Sequence, residues 1–127
     1  MRLAPLVRKA MAVGASDIHI VSGLPLSVRA AGEILALGGE VLAEDEIRGM
    51  LDEALNEEQR ALFGRDRRLC FSTVMEDAHI RISVYTRLGM VEAAVRLRPS
   101  VIQSLEELGL PPAAAELTRK PNGLILI

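Results

Sequence analysis

Apolar residues first recur at helical spacing. Leu3, Leu6, Val7, Ala10 and Met11 occupy i, i+3, i+4, i+7 and i+8 positions, which predicts an amphipathic helix. Gly14 is a suitable stop for it. The period then falls to two. Residues 16–21 alternate, with Ile18 and Ile20 on one face and Asp17 and His19 on the other. Residues 22–25, Ser-Gly-Leu-Pro, read as a loop. Residues 26–31 read as a second strand, with Leu26, Val28 and Ala30 inward and Arg29 outward. Gly32-Glu33 predicts a tight turn, residues 34–37 a returning strand, and Gly38-Gly39 its end. These connections are too short for parallel crossovers, so the pattern is a meander.

Residues 43–63 return to helical periodicity, with Ile47, Met50, Leu51, Ala54 and Leu55 as the apolar stripe. Glu44 or Asp45 is expected to cap the first helix, and Asn56 to open a second short one that ends near Gly64. Acids crowd the stretch from Glu40 to Glu58 and read as a solvated helix face.

Three further strands follow. Residues 67–74 form the first. Residues 78–86 place Ile80, Ile82 and Val84 on one face and His79, Arg81, Ser83 and Tyr85 on the other. Residues 91–98 place Val91, Ala93, Val95 and Leu97 inward, and Glu92, Ala94, Arg96 and Arg98 outward. The last two form a hairpin with one apolar and one basic face. Pro99 ends it, and a linker from Ser100 with a short turn near residues 105–108 leads to a short helix at 112–119. Residues 124–127, Leu-Ile-Leu-Ile, are apolar throughout, as in a strand buried on both faces of a parallel sheet. The expectation is a chain that stops at the start of a second domain.

The chain has 127 residues, enough for one domain, and half of them are apolar. A net charge of −2 and only three aromatic residues, Phe63, Phe71 and Tyr85, argue against a nucleic-acid binder. No apolar run is long enough to span a bilayer, and no membrane insertion is expected. The single cysteine, Cys70, excludes an internal disulfide and lies between Leu69 and Phe71, where a small buried hydrophobe is expected. Asp17 and His19 share a strand face, but two histidines are too few for a convincing metal site. Neither a Gly-x-Ser-x-Gly elbow nor a Walker A motif is present, so no self-contained catalytic set exists and the chain alone should not hydrolyse ATP.

One pair carries possible chemistry. A turn centred on Leu88-Gly89 sets Arg81 opposite Arg96. Facing like charges are unfavourable unless an anion lies between them, and guanidinium forks match phosphate oxygens. The competing reading pairs each arginine with a nearby acid such as Glu92. Arg87, in the turn, is expected to be a silent control.

Several segments, in order, resemble a known family. Residues 14–20 (GASDIHI) resemble the ASD-[IL]-H-[IL] opening of the secretion and type IV pilus motor ATPases. Gly23-Leu24-Pro25, Arg29 and Gly32-Glu33-Ile34 resemble the G-x-P-P-x-x-R-x-x-G-x-L stretch of the PilT-like retraction branch, with Leu26 and Ile34 substituted. Residues 79–83 (HIRIS) are similar to R-F-R-V-N, and residues 95–100 (VRLRPS) to F-R-x-I-P-S. Residues 105–111 (LEELGLP) match the family linker, and 123–127 (GLILI) the strand that leads into Walker A.

The resemblance implies an α+β fold, a PAS-like antiparallel sheet flanked by helices over residues 1–99. Residues 100–127 would be a linker and the first strand of a truncated RecA-like ATPase domain. It implies the N-terminal coupling domain of a hexameric ATPase that powers type IV pilus retraction and twitching motility. ATP would lie between this domain and the P-loop domain, with Mg2+, and the fragment alone would bind neither. By the same resemblance Arg81 and Arg96 match the arginines that reach the γ-phosphate, and Arg98 is an extra candidate without a family counterpart. The implied partners are ATPase domains of the same and the neighbouring chain in a homohexameric ring and the inner-membrane pilus machinery, at the cytoplasmic face. A free-standing PAS-like ligand or interaction module, and the N-terminal domain of a type II secretion or pilus assembly ATPase, are the alternatives.

Overall fold

The structure is a computed structural model that describes residues 2–100 and 102–126. Helix α1 (Leu3–Ala12) leads into β1 (Ala15–Ile20), β2 (Pro25–Ala30) and β3 (Glu33–Val41). Helices α2 (Glu44–Ala54) and α3 (Glu57–Asp66) follow, then β4 (Arg68–Met75), β5 (Ala78–Arg87), β6 (Met90–Pro99) and the short α4 (Ala113–Leu117). The six strands form one antiparallel sheet in the order β3-β2-β1-β6-β5-β4. Two consecutive three-stranded meanders are thus joined where β1 pairs with β6. The α+β expectation holds.

Tight turns set the registers. Three hairpins close on two residues with positive φ: Ala31-Gly32, Glu76-Asp77 and Leu88-Gly89. Such turns match the right-handed twist of the strands they join. Gly89, at φ +83°, follows Leu88 at φ +51°, so Arg87 pairs with Met90 and every later pair follows.

One face of the sheet is covered. Helix α1 packs on β1, α2 on β6 and α3 on β4. Leu3, Leu6, Val7 and Ala10 of α1 and Ile47, Met50 and Leu51 of α2 share one buried cluster with Ile18, Ile20, Ile82 and Val95 of the sheet. Each large side chain buried there contributes about 1.5–3 kcal/mol of transfer free energy. The acids of α2 and the start of α3, including Asp45, Glu46, Asp52, Glu57 and Glu58, are exposed on the outside of this layer. They form the solvated face expected.

Several boundaries differ from the pattern. Strand β3 does not end at Gly38-Gly39. It bulges over that segment, between the pairs Ser27–Ala36 and Pro25–Val41, and then rejoins β2. Neither Glu44 nor Asp45 caps α2; the Ala43 N–H donates to the Glu46 carboxylate at 3.0 Å. Asn56 does cap α3, accepting from the Gln59 N–H at 2.8 Å while its own N–H donates to Gln59 Oε1 at 3.0 Å. Helix α3 runs through Gly64 and stops at Arg67, whose left-handed conformation (φ +57°) lets its N–H donate to the Phe63 carbonyl. After β6 the chain leaves the sheet. Ser104 and Glu107 cap a turn reciprocally. Residues 124–126 form no strand, and Ile127 lies outside the described residues. A strand apolar on both faces needs neighbours to pair with, and this segment has none here.

Candidate anion-binding face of the sheet

The uncovered face carries the polar side chains. Strand alternation places Arg29, Asp17, Arg96, Arg81 and Ser72 in one row across β2, β1, β6, β5 and β4, because each is the register partner of the next. Arg81 and Arg96 face one another, as the Leu88-Gly89 turn requires. One row along, His79 faces Arg98. Together with Ser72 and Ser100, these four line an open groove of about 670 Å³. No acidic side chain lines it. Ser100, just past β6, donates to the Asp77 carbonyl and fixes the groove's end beside the β4–β5 turn.

The charges in the row are not equivalent. Arg96 Nε donates to Asp17 Oδ1 at 3.0 Å. Asp17 also accepts from Ser16 Oγ at 2.8 Å, and Arg29 lies at 4.0 Å. Partial burial would raise the Asp17 carboxyl, but the hydrogen bonds from Ser16 and Arg96 outweigh it and hold the group below the usual carboxylate range. Arg81 instead donates from Nε to Cys70 Sγ at 3.1 Å. Arg98 is exposed and makes no ion pair among the described residues.

Two expectations need correction here. Cys70 is not a buried hydrophobe. It is exposed on the polar face opposite Ser83, because Leu69 and Phe71 are the residues of β4 that turn toward the core. The hydrogen bonds from Ser83 and then Arg81 push its thiol down from the ordinary value. Arg87 is not a silent turn residue. It forks onto Glu92, Nη2 to Oε1 at 2.6 Å and Nε to Oε2 at 3.1 Å, and Glu92 is 2% exposed. The competing reading, an arginine paired with a nearby acid, holds for Arg96, whose partner is Asp17 rather than Glu92, and not for Arg81, which donates to Cys70; Glu92 pairs with Arg87. Burial, with the nearby Glu92 charge, pushes the Tyr85 phenol up.

Sequence reasoning missed Asp17 as the partner of Arg96. The two are 79 residues apart and meet only because β1 pairs with β6. Among the described residues no three His, Cys, Asp or Glu side chains are grouped to hold a metal ion.

No family model matches the chain. The chain is 30% identical to the uncharacterized protein YggR of Escherichia coli (strain K12), over its whole length and 38% of that protein. It is 28% identical to the type IV pilus retraction ATPase PilT of Pseudomonas aeruginosa, over 90% of this chain and 33% of that one. It is 26% identical to the type IV pilus ATPase PilU of the same organism, over 99% of this chain and 33% of that one. The fold superposes on the crystal structure of the pilus retraction motor PilT with bound ADP at a TM-score of 0.77, with 28% identity, over 94% of this chain and 36% of that one. The chain is a homologue of the N-terminal part of the PilT-like pilus ATPases. It spans about a third of the length of these relatives. The ATPase DotB of Yersinia pseudotuberculosis shares the fold at a TM-score of 0.73 and 20% identity, over 91% of this chain and 34% of that one. No helix among the described residues is long and apolar enough to cross a membrane.

Proposed function

We propose that this chain is the N-terminal coupling domain of a hexameric ATPase that powers type IV pilus retraction. The observation that carries this reading is the facing pair Arg81 and Arg96 at the edge of an open basic groove, on a fold shared with PilT. Residues 1–99 form the domain; residues 100–127 are the linker and the first segment of a P-loop ATPase domain. ATP lies between the two, with its γ-phosphate toward Arg81 and Arg96. Mg2+ accompanies the ATP phosphates there. The ring packs this domain against the ATPase domain of a neighbouring chain, in the cytoplasm beside the inner-membrane pilus machinery.

The chemistry expected of these residues is electrostatic. Transfer of a phosphoryl group shifts charge onto the phosphate oxygens, and a guanidinium fixed nearby stabilises that shift without reorganising. Of the two arginines, Arg81 is better supplied for the task, since Asp17 already compensates Arg96. Binding the phosphate would also register its presence on the sheet, the kind of contact that couples nucleotide state to domain movement.

The test is ATP turnover by the longer protein that contains this chain. Arg81→Ala is expected to lower turnover by at least about tenfold, as loss of a transition-state arginine does, with an unchanged melting temperature. Normal turnover in that variant contradicts the reading. A stop codon directly after residue 127 contradicts it too, and favours the free-standing module.

A further inference from the structure

Basic side chains line the groove in two rows rather than one. Arg81 and Arg96 make the first, and His79 and Arg98 the second, two residues further along the same strands. At about 3.3 Å per residue, the rows are roughly 6.6 Å apart along the strand. Committed charge differs between them. Arg96 is tied to Asp17. Arg81 leans toward Cys70, which pairs with Ser83, on the side of the first row away from His79. Arg98 has no ion pair among the described residues, and no acid lines the groove to neutralise it.

We infer that Arg98, seated beside His79, is a second phosphate-binding position, so that the groove takes a ligand carrying at least two linked phosphoryl groups rather than a single phosphate. This rests on the reading of the groove as the nucleotide-phosphate side of the domain, and it assigns a role to a residue that has no counterpart in the family pattern. The argument is spatial. Arg81 donates to Cys70, on the side of its row away from His79, and Arg98 stands in the row on the other side. A chain of phosphates spans that gap. Ser72 and Ser100 supply hydroxyl groups at the groove wall. His79 is the sole ring among the lining residues, so the groove offers little surface for stacking a base. Selectivity is therefore for the phosphate chain, whether it comes from a nucleoside triphosphate or from inorganic polyphosphate.

The experiment is an NMR titration of this chain with orthophosphate, tripolyphosphate and ATP, following backbone and arginine Nε–H signals. Tripolyphosphate is expected to bind at least about tenfold more tightly than orthophosphate, with Arg81 and Arg98 both shifting. ATP should bind within about threefold of tripolyphosphate, since both present the same chain of phosphates, which departs from the expectation that this chain alone binds no ATP. Arg98→Ala should abolish the advantage of tripolyphosphate, and Arg98→Lys should restore part of it. Arg65→Ala, on α3 and paired with Asp66, should change nothing. Equal affinities for orthophosphate and tripolyphosphate, or a tripolyphosphate advantage that survives Arg98→Ala, would overturn the inference. If Arg81→Ala still abolishes orthophosphate binding in that case, the functional reading stands alone; if it does not, both fall.

Discussion

Arg96 faces Arg81 across the β5–β6 hairpin, yet its guanidinium is hydrogen bonded to Asp17 on the strand at its other side, Nε to Oδ1 at 3.0 Å. The two arginines therefore differ in what they do for the apo domain. Arg96→Ala leaves a largely buried carboxylate with only Ser16 close by and Arg29 at 4.0 Å. We expect a loss of about 0.5–1 kcal/mol, because Arg96 itself is mostly exposed. Arg81→Ala removes a like charge from the row and is expected to leave stability within about 0.5 kcal/mol of wild type. Thermal melts of the two variants check the contrast; equal melting temperatures would contradict it.

The fork from Arg87 onto Glu92 is the strongest ion pair on this face, because Glu92 is 2% exposed and cannot turn to water. Arg87→Ala strands that carboxylate. With Arg87 itself half exposed, we expect a cost of about 2 kcal/mol, below that of a fully buried pair, and a melting temperature about 10 °C lower. The double variant Arg87→Ala/Glu92→Gln should recover at least half of the loss in denaturant melts, since the stranded charge is then removed.

Cys70 reports on Arg81. Its thiol is held below the ordinary value by the hydrogen bonds from Ser83 and Arg81. The folded chain thus favours the thiolate, and this contribution to stability is present above the ordinary thiol range and lost as pH falls through the lowered value. Alkylation by iodoacetamide should accordingly begin at lower pH than for a free thiol. Arg81→Ala and Ser83→Ala should each move the rate profile upward in pH. A profile unchanged by both would show that neither contact operates in solution.

The Leu88-Gly89 dipeptide made the central geometry legible. A two-residue turn leaves one register, and that register sets Arg81 against Arg96. The helical stripe of α1 and the alternation of β1 and β5 were equally plain, because each element buries one face only. What the pattern could not supply was pairing between distant strands. Asp17 reaches Arg96 only through the β1–β6 seam, and no local signal marks that seam. Cys70 sits in an apolar triplet, where alternation has no visible phase, so its side of the strand was not readable. Glu92 looked like one more outward residue of β6, and its burial depends on Arg87 folding over it from the neighbouring strand.

The most direct test of the account is a crystal structure of the longer protein with a non-hydrolysable ATP analogue. The account requires the Arg81 guanidinium to lie within hydrogen-bond distance of a γ-phosphate oxygen, about 2.7–3.2 Å, with the nucleotide between this sheet face and the P-loop domain. A nucleotide held by the P-loop domain alone, with Arg81 turned to solvent or still bonded to Cys70 in every subunit of the ring, would contradict it.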